Sequence, residues 1–248
     1  MQTMTKWQGF SILPIQETIS STNTWLKEHA AAYPDRTVLI AKEQTNGRGR
    51  NERTFYSAKG KGLYLSILLK AHMQDLPFTK LTACSALALQ RAIFENCQLQ
   101  TQIKWVNDIV YQGHKLAGIL CETLYEGNAP TAFIIGFGVN VFSQVFPVME
   151  NTPGALADFA PNMPCMDTLI LSLLHHFALC LKEIHDPAIM EAYRQCSCVL
   201  QKEILVKERG NSYPAIAYAI DDNGALLIQT KENKKILQSG EVSIRIQK

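Results

Sequence analysis

The character of this sequence changes after Cys198. Before that residue, long apolar segments alternate with segments of helical periodicity. After it, short runs of alternating apolar and polar residues are separated by turn signals such as the DDNG sequence at 221–224. Short alternating strands with tight turns are typical of a small β-barrel. We therefore predict two domains, a large one at residues 1–197 and a small β-barrel domain at residues 198–248.

The large domain is predicted to contain both strands and helices. Apolar and β-branched runs predict strands at 10–15, 37–44, 62–70 and 131–141, and two more on either side of a turn at Gly113. Helical spacing and capping residues predict helices at 20–30, 77–97, 168–185 and 187–194. The pattern is that of an α+β domain.

Charge and cysteine usage limit the class of protein. The formal net charge is only +2 and there is no basic tail, so the sequence predicts no DNA partner. No window is apolar enough to span a bilayer, and the N-terminus lacks the pattern of an export signal. The seven cysteines form no CxxC pair and lie mostly in apolar stretches, which indicates buried thiols in a reducing compartment. We expect a cytoplasmic protein with no membrane partner.

The motif NGRGRNER lies in a loop between two predicted strands. Gly47 and Gly49 allow the backbone to approach a ligand closely, while Arg48, Arg50 and Arg53 offer multi-donor forks for a carboxylate or phosphate. The motif alone is equally compatible with a solvated basic loop. Its spacing differs from GxGxxG and from the Walker A loop, which disfavours a P-loop ATPase.

A second polar group surrounds the predicted turn at Gly113. If the turn folds back, Lys104, Asn107, Asp108 and Lys115 converge near Gly118, and together they suit a nucleotide and its metal. A plain hairpin with surface charges is the alternative, and for either lysine taken singly it is the favoured one.

The third motif is GFGVN, at the end of a predicted strand. Gly136 and Gly138 alternate along that strand and Asn140 ends it. Glycine weakens the interior of a strand, so two of them predict the close approach of another group, such as a flat ring. Packing against a helix would explain them equally well.

Taken together, these motifs resemble the signature blocks of biotin protein ligases. Five blocks occur in order: SSTN at 20–23, EQTNGRGR at 43–50, KWVND at 104–108, KLAGIL at 115–120 and GFGVN at 136–140. The resemblance implies a mixed β-sheet backed by helices, related to the class II aminoacyl-tRNA synthetases, followed by a small SH3-like β-barrel. It also implies an enzyme that activates biotin with ATP and Mg²⁺ as biotinyl-5'-AMP and transfers biotin to a lysine of a biotin carboxyl carrier protein.

The resemblance further implies roles for individual residues. The biotin pocket would be lined by Ser21, Thr22, Asn23 and Gln44, and the loop over biotin and the activated phosphate would contain Gly47, Arg48, Gly49, Arg50 and Arg53. The catalytic residues would be Lys115, Arg50 and Asp108, with Lys115 bridging the biotin carboxylate and the α-phosphate. The nucleotide and its Mg²⁺ would be served by Asn107, Asp108 and Asn140, with Lys104, Trp105, Gly118, Gly136 and Gly138 as further binding residues of the same blocks. Asp108 could act as a base or orient the acceptor amine, and the ligands of the metal are not assigned.

Three positions depart from the family pattern. Glu52 and Phe55 stand where many members have glycine and tryptophan, and Val106 stands where proline is usual. Valine lacks the fixed φ of proline, so we expect its neighbours to set the local backbone. Glu52 adds a negative charge beside a site for phosphates, and we expect it to point outward or to pair with Arg53.

Two other functions compete with the biotin ligase. A lipoate protein ligase shares the fold and the adenylate chemistry, and a non-catalytic biotin or nucleotide sensor would keep the pocket. Retention of Lys115 and Arg50 argues against the sensor. The recognisable blocks begin near residue 20, which leaves no room for a helix-turn-helix, so we expect a monofunctional form without the N-terminal DNA-binding domain and without operator binding. The sequence leaves open whether the chain forms a homodimer.

Overall fold

The computed structural model describes residues 4–51, 53–70, 78–149, 152–162, 165–208, 211–238 and 242–246. The helices are Thr22–His29 (α1), Phe78–Cys97 (α2), Met166–Lys182 (α3) and Pro187–Cys196 (α4), with 3₁₀ turns at Ala30–Ala32 and Leu156–Asp158. The strands of the large unit are Thr5–Trp7 (β1), Phe10–Ile12 (β2), Thr37–Ala41 (β3), Gly62–Lys70 (β4), Gln102–Lys104 (β5), Asp108–Tyr111 (β6), His114–Glu126 (β7) and Ala129–Asn140 (β8). The strands of the small unit are Lys202–Glu208 (β9), Asn211–Ile220 (β10), Leu226–Gln229 (β11), Lys234–Leu237 (β12) and Val242–Ile246 (β13).

The large unit is built on one eight-stranded mixed sheet. The strand order is β1-β2-β3-β4-β8-β7-β6-β5, with β2 and β3 parallel and the other neighbours antiparallel. The small unit is a five-stranded antiparallel sheet in the order β12-β11-β10-β9-β13. The predicted fold class, a mixed sheet backed by helices and followed by a small β unit, is confirmed. The predicted domain boundary at 197/198 falls between α4 and β9.

The central strands are buried on both faces, which explains why their sequences read as continuous apolar runs. On β4, Leu63, Leu65 and Ile67 belong to the main core under α2 and α3, whereas Leu68 packs with Leu26 of α1 on the opposite face. The long helices therefore cover one face of the sheet. Next to α1 the other face is left open, and the candidate site lies there.

One predicted strand is wrong. The segment before Gly113 forms two strands, β5 and β6, with a turn at 105–107 between them. The Trp105–Val106 peptide bond is cis, and Val106 is buried. The turn at Gly113 is present, with positive φ at both Gln112 and Gly113, as a two-residue hairpin turn requires.

The small unit is docked onto the large one through the turn at 221–224. The Gly224 carbonyl accepts a hydrogen bond of 2.9 Å from the Trp105 indole, and Thr79 of α2 donates to the Asn223 carbonyl. Arg194 of α4 donates to the Ile220 carbonyl at 2.7 Å. These bonds connect the end of β10 and its turn to three elements of the large unit.

The helices and the cysteines bear on the predicted environment of the chain. None of the described helices is long and apolar enough to cross a bilayer. Five of the seven cysteines are buried, but Cys165 is exposed because it precedes α3 in a proline-containing loop.

Candidate functional site

The register of the sheet brings the polar motifs together on its open face. Across neighbouring strands, Lys104 pairs with Asp108, Asp108 with Gly118, and Gly118 with Gly138, which in turn pairs with Tyr64. Side chains at paired positions share a face of the sheet. Motifs that are far apart in the sequence therefore meet in one row.

The glycines of GFGVN make room for two side chains. A Cβ atom at Gly136 would lie 2.2 Å from the Asn23 Oδ1 atom, and one at Gly138 would lie 2.7 Å from the Phe55 ring. Both distances are so short that a side chain at either glycine would displace Asn23 or Phe55 from its present position. The predicted close approach thus has two partners, an amide at one glycine and a flat ring at the other.

A cavity of about 380 Å³ lies above this row. The predicted site residues that line it are Ser21, Thr22, Asn23, Gln44, Arg48, Gly49, Arg50, Arg53, Lys104, Trp105, Asn107, Asp108, Lys115, Gly118, Gly136, Gly138 and Asn140. Gly47 does not line it. A Cβ atom at Gly47 would lie 2.4 Å from the Phe55 carbonyl oxygen, so this glycine lets the loop fold onto itself.

One wall of the cavity is a buried polar network at the start of α1. Ser21 caps the helix by accepting a hydrogen bond from the Thr24 amide. The Gln44 Oε1 atom accepts from the Thr22 amide at 2.8 Å, and Gln44 Nε2 donates to Ser57 at 3.0 Å. The side chain of Gln44 is therefore held in one orientation beside the cavity.

Lys115 and Asp108 form an ion pair at the floor of the cavity. The Lys115 Nζ atom lies 2.7 Å from Asp108 Oδ1, and the two side chains are 25% and 16% exposed. The backbone of Lys115 donates to the Thr152 carbonyl and accepts from the Gly154 amide, so its strand end is fixed. A half-buried ammonium in this position can attract an anion that enters the cavity.

Arg50 reaches the same floor from the loop. Its Nη1 atom donates to Asn107 Oδ1 at 3.2 Å, and Asn107 Nδ2 donates to the Ile119 carbonyl at 2.8 Å. Burial lowers the pKa of the Arg50 guanidinium, and the nearby Asp108 carboxylate opposes that shift. Arginine stays charged even so, and a partly desolvated charge is well suited to an anionic ligand.

Asn140 has one side-chain atom whose hydrogen-bonding capacity is unmet. Its Nδ2 atom donates to the Gly154 carbonyl at 3.0 Å, whereas its buried Oδ1 atom accepts from none of the described residues. A buried acceptor without a partner is costly. It fits a ligand that brings a donor or a cation.

The residues of the cavity do not form a metal cage by themselves. The described part of the chain contains no group of three or more His, Cys, Asp or Glu side chains arranged to hold a metal ion. The oxygen donors in the cavity include the Asp108 carboxylate and the Asn140 amide oxygen. Such a set suits Mg²⁺ that arrives with a phosphate ligand, because Mg²⁺ is usually held by one or two carboxylates together with substrate phosphates.

Sequence reasoning missed the apolar roof of the cavity. The roof includes Tyr56, Phe146, Val148, Met149 and Pro153. The rings of Tyr56 and Phe146 meet edge to face at 6.4 Å, and Val148 is fully exposed. The only sequence signal for this roof was the short apolar run at 145–149, which has neither helical nor strand periodicity. Glu52, one of the departures, lies outside the described residues.

The comparisons with known proteins agree on one family. Residues 15–140 match the biotin/lipoate A/B protein ligase family, and residues 199–245 match the biotin protein ligase C-terminal domain. The chain is 32% identical to a biotin–[acetyl-CoA-carboxylase] ligase of Paracoccus denitrificans over 232 residues, which cover 90% of this chain and 96% of that relative. It is 29% identical to the bifunctional ligase/repressor BirA of Bacillus spizizenii over 243 residues, 92% of this chain and 73% of that protein.

The fold has a close counterpart among solved structures. A biotin protein ligase from Aquifex aeolicus in complex with biotin and ATP superposes with a TM-score of 0.83 at 25% identity. The superposition covers 95% of this chain and 99% of that one. Both units of the present fold are therefore present in a structure that holds the two small molecules.

Proposed function

Because this chain belongs to the biotin/lipoate A/B protein ligase family, we propose that it is a biotin protein ligase that forms biotinyl-5'-AMP and transfers biotin to a lysine of a biotin carboxyl carrier protein. One observation carries the proposal. The Lys115–Asp108 pair, Arg50 and the polar wall at Thr22 and Gln44 all line a single cavity. That cavity has cations for two anions at one end and fixed hydrogen-bonding groups for a neutral polar ring at the other.

The first step joins two anions. The biotin carboxylate attacks the α-phosphorus of ATP, a new O–P bond forms, and the bond to pyrophosphate breaks. We assign to Lys115 the bridge between the carboxylate and the α-phosphate, and to Arg50 the neutralisation of charge that develops on the phosphate. Donors that are already in place at the floor of the cavity need no reorganisation during the step.

The second step is aminolysis of the mixed anhydride. The acceptor amine attacks the biotinyl carbonyl, a C–N bond forms, AMP leaves with the electrons of the C–O bond, and the nitrogen gives up one proton to the released phosphate or to water. We assign to Asp108 the hydrogen bond that orients the amine, since its carboxylate stands beside Lys115 at the reacting end of the cavity. The paired rings of Tyr56 and Phe146 in the apolar roof would limit the access of water to the anhydride.

The nucleotide requires partners of its own. Asn107 and Asn140 line the end of the cavity that contains Lys115, and the unmet Oδ1 atom of Asn140 fits a donor of the nucleotide or its cation. Asp108 and Asn140 would hold Mg²⁺ together with the phosphates of ATP. When bound, the ion supplies further neutralisation of phosphate charge.

The cellular setting is also part of the proposal. We propose a cytoplasmic enzyme, because five buried thiols suit a reducing compartment. We propose that it does not bind operator DNA, because a net charge of +2 is small beside the cationic charge that DNA binding uses. A gel-shift measurement with operator DNA and a sedimentation measurement of the mass in solution test the DNA partner and a homodimer.

A single assay tests the function. The chain is incubated with ATP, Mg²⁺, biotin and a biotin carboxyl carrier domain, and the mass of the acceptor is measured. We expect one added biotinyl group on one lysine, and none when that lysine is replaced by arginine. Modification of a lipoyl domain with lipoate, but not of the carrier domain with biotin, would instead establish a lipoate ligase. Absence of transfer to either acceptor and of biotin-dependent pyrophosphate exchange, with biotin still bound, would instead indicate a sensor.

A further inference from the structure

Glu122 lies beside the cavity and has no place in the proposed chemistry. It follows Leu120 by two residues on β7, so both side chains emerge on the open face of the sheet. Leu120 lines both the main cavity and a smaller one, and Glu122 lines the smaller one together with Arg48 and Arg50 of the loop. Only 14% of the Glu122 side chain is exposed. A carboxylate so far removed from water requires a reason.

Three elements meet at this carboxylate. Arg48 of the loop approaches Glu122 Oε1 at 3.0 Å, and Lys27 of α1 approaches it at 3.7 Å. Asn23, also on α1, donates from Nδ2 to Glu122 Oε2 at 3.0 Å. Glu122 therefore ties the loop and α1 to the same point on β7.

The bond to Asn23 sets the orientation of an amide in the cavity wall. A carboxylate only accepts hydrogen bonds, so the NH₂ group of Asn23 must face Glu122 and its oxygen must face away. That oxygen lies 2.6 Å from the Ser66 hydroxyl, directly above Gly136. The amide is thus held from both ends, with no room to turn over.

The ion pair with Arg48 offsets repulsion among the cationic side chains of the cavity. The cavity is lined by five cationic side chains, Arg48, Arg50, Arg53, Lys104 and Lys115, and among the described residues Asp108 is the one acidic side chain that lines it. Before an anionic ligand enters, the mutual repulsion of these cations favours an open loop. Glu122 supplies a counter-charge from below the loop, and being mostly buried it is screened less by salt than a surface carboxylate would be.

We propose that Glu122 is a positioning residue for biotin binding: it anchors Arg48 and fixes the amide of Asn23, and so holds the loop in the conformation that receives the substrate. The proposal rests on the proposed function. The effect acts through the equilibrium between loop conformations. The apparent affinity for a ligand is proportional to the fraction of protein that is in the competent conformation. Glu122 acts on that fraction and not on the reacting atoms.

The test is Glu122→Gln, which keeps an acceptor for Asn23 but removes the charge that holds Arg48. We expect the Kd and the KM for biotin to rise about tenfold while kcat changes less than about twofold, because a saturating substrate restores the competent loop. Glu126→Gln is the matched control, since it makes the same change in an exposed residue of the same strand. It should bind biotin as the wild type does.

Trypsin gives a readout of the loop that does not depend on activity. Arg48, Arg50 and Arg53 are cleavage sites within the loop, and we expect Glu122→Gln to be cut there several times faster than the wild type or Glu126→Gln. Arg48→Gln should accelerate cleavage at the two remaining sites and raise the KM for biotin. The double variant with Glu122→Gln should be no worse than Arg48→Gln alone, because both changes remove one interaction.

Each result bears on the proposal. Unchanged biotin affinity and unchanged cleavage in a folded Glu122→Gln protein would overturn it, as would a lower kcat with unaltered KM. Additive effects of the two substitutions would also overturn the role of Arg48. If Glu122→Gln does not fold, Arg48→Gln alone decides, and normal cleavage at Arg50 and Arg53 in that variant contradicts the proposal. Failure of the wild type to biotinylate the carrier domain would instead overturn the proposed function and is visible before any variant is made.

Discussion

Lys115 shows how a single residue of the site depends on its surroundings. Its Nζ atom lies 3.2 Å from the position that a Cβ atom would take at Gly118, and 2.7 Å from Asp108. Gly118 leaves space for the Lys115 side chain, and the Asp108 carboxylate orients its ammonium group. An exposed lysine on a plain hairpin would have neither, which is why the surface-charge interpretation does not suit this residue.

Replacing Lys115 by alanine tests its assignment. Lys115→Ala removes the cation that would bridge the two reacting anions, and the loss of one such group costs on the order of a hundredfold or more in rate. We expect biotin-dependent exchange of pyrophosphate into ATP to fall at least that far. Because the substitution also leaves the mostly buried Asp108 carboxylate without its partner, the melting temperature should fall by several degrees, and exchange is measured well below it. Undiminished exchange in the variant would remove Lys115 from the mechanism.

The Cys121 thiol links the core to alkaline stability. Burial raises its pKa from about 9 to about 11, although hydrogen bonds from Thr82 and Ser85 oppose the shift. Burial also raises the pKa of Cys97 and Cys180 to about 11. A thiol whose pKa is raised on folding stabilises the folded state fully below about 9, and that contribution is lost as the pH rises through about 11.

We therefore expect the free energy of unfolding to fall between pH 9 and pH 11. Urea denaturation with a reducing agent, repeated at several pH values, measures this slope. Cys121→Ala should start from a lower stability because it leaves a small cavity, but its stability should fall less steeply with pH. A slope equal to that of the wild type would mean that Cys121 ionises as readily in the folded protein as in the unfolded chain.

At the scale of elements, the turn at 221–224 joins the small sheet to the site. Gly224 has a φ of +84°, and a Cβ atom there would lie 3.1 Å from the backbone of Thr79 on α2. Its carbonyl also receives the hydrogen bond of Trp105, which lines the cavity. Gly224 therefore contacts both α2 and Trp105, a residue that lines the cavity.

Gly224→Ala should loosen this junction. The left-handed φ and the short contact together predict a loss of about 1–3 kcal/mol in the free energy of unfolding. Weakening of the bond to the indole should also shift the fluorescence of Trp105. Asn223→Ala is the control, because the bonds of Asn223 to Thr79 and Asp221 use its backbone. Equal stability of the two variants would show that the junction tolerates a side chain at Gly224.

The elements also show what a sequence can and cannot predict. The strands β4 and β8 and the helix α2 were predictable because burial on both faces, or along a helix, leaves long apolar patterns. The break between β5 and β6 was not, since KWVND contains neither glycine nor proline and its turn is fixed by tertiary contacts of Trp105 and Asn107. In the site, the glycines and arginines of the loop and strands were predictable because they form recognisable motifs. Glu122 did not, because a glutamate near the end of a strand resembles any surface carboxylate.

At the scale of the whole molecule, the two units share one hydrophobic core. Ile204, Val206 and Ile228 of the small sheet belong to the same contiguous cluster as Leu81 and Leu89 of α2. Independent domains bury separate cores, each of which can fold alone. Here the small sheet covers apolar surface of the large unit near the Trp105 wall of the cavity. We therefore expect ordering of the site and docking of the small sheet to occur together.

We accordingly expect the chain to unfold in a single cooperative transition. The three tryptophans, Trp7, Trp25 and Trp105, all lie in the large unit, and Trp105 also senses the junction through its hydrogen bond to Gly224. Hydrogen exchange of the β10 amides reports on the small unit, and both probes should give the same free energy of unfolding. In Gly224→Ala the β10 amides should exchange at a lower free energy than those of α2, because the junction that couples the sheets is weakened. If the β10 amides of the wild type already exchange at a lower free energy, the small sheet opens independently and its contact with Trp105 cannot hold the site in place.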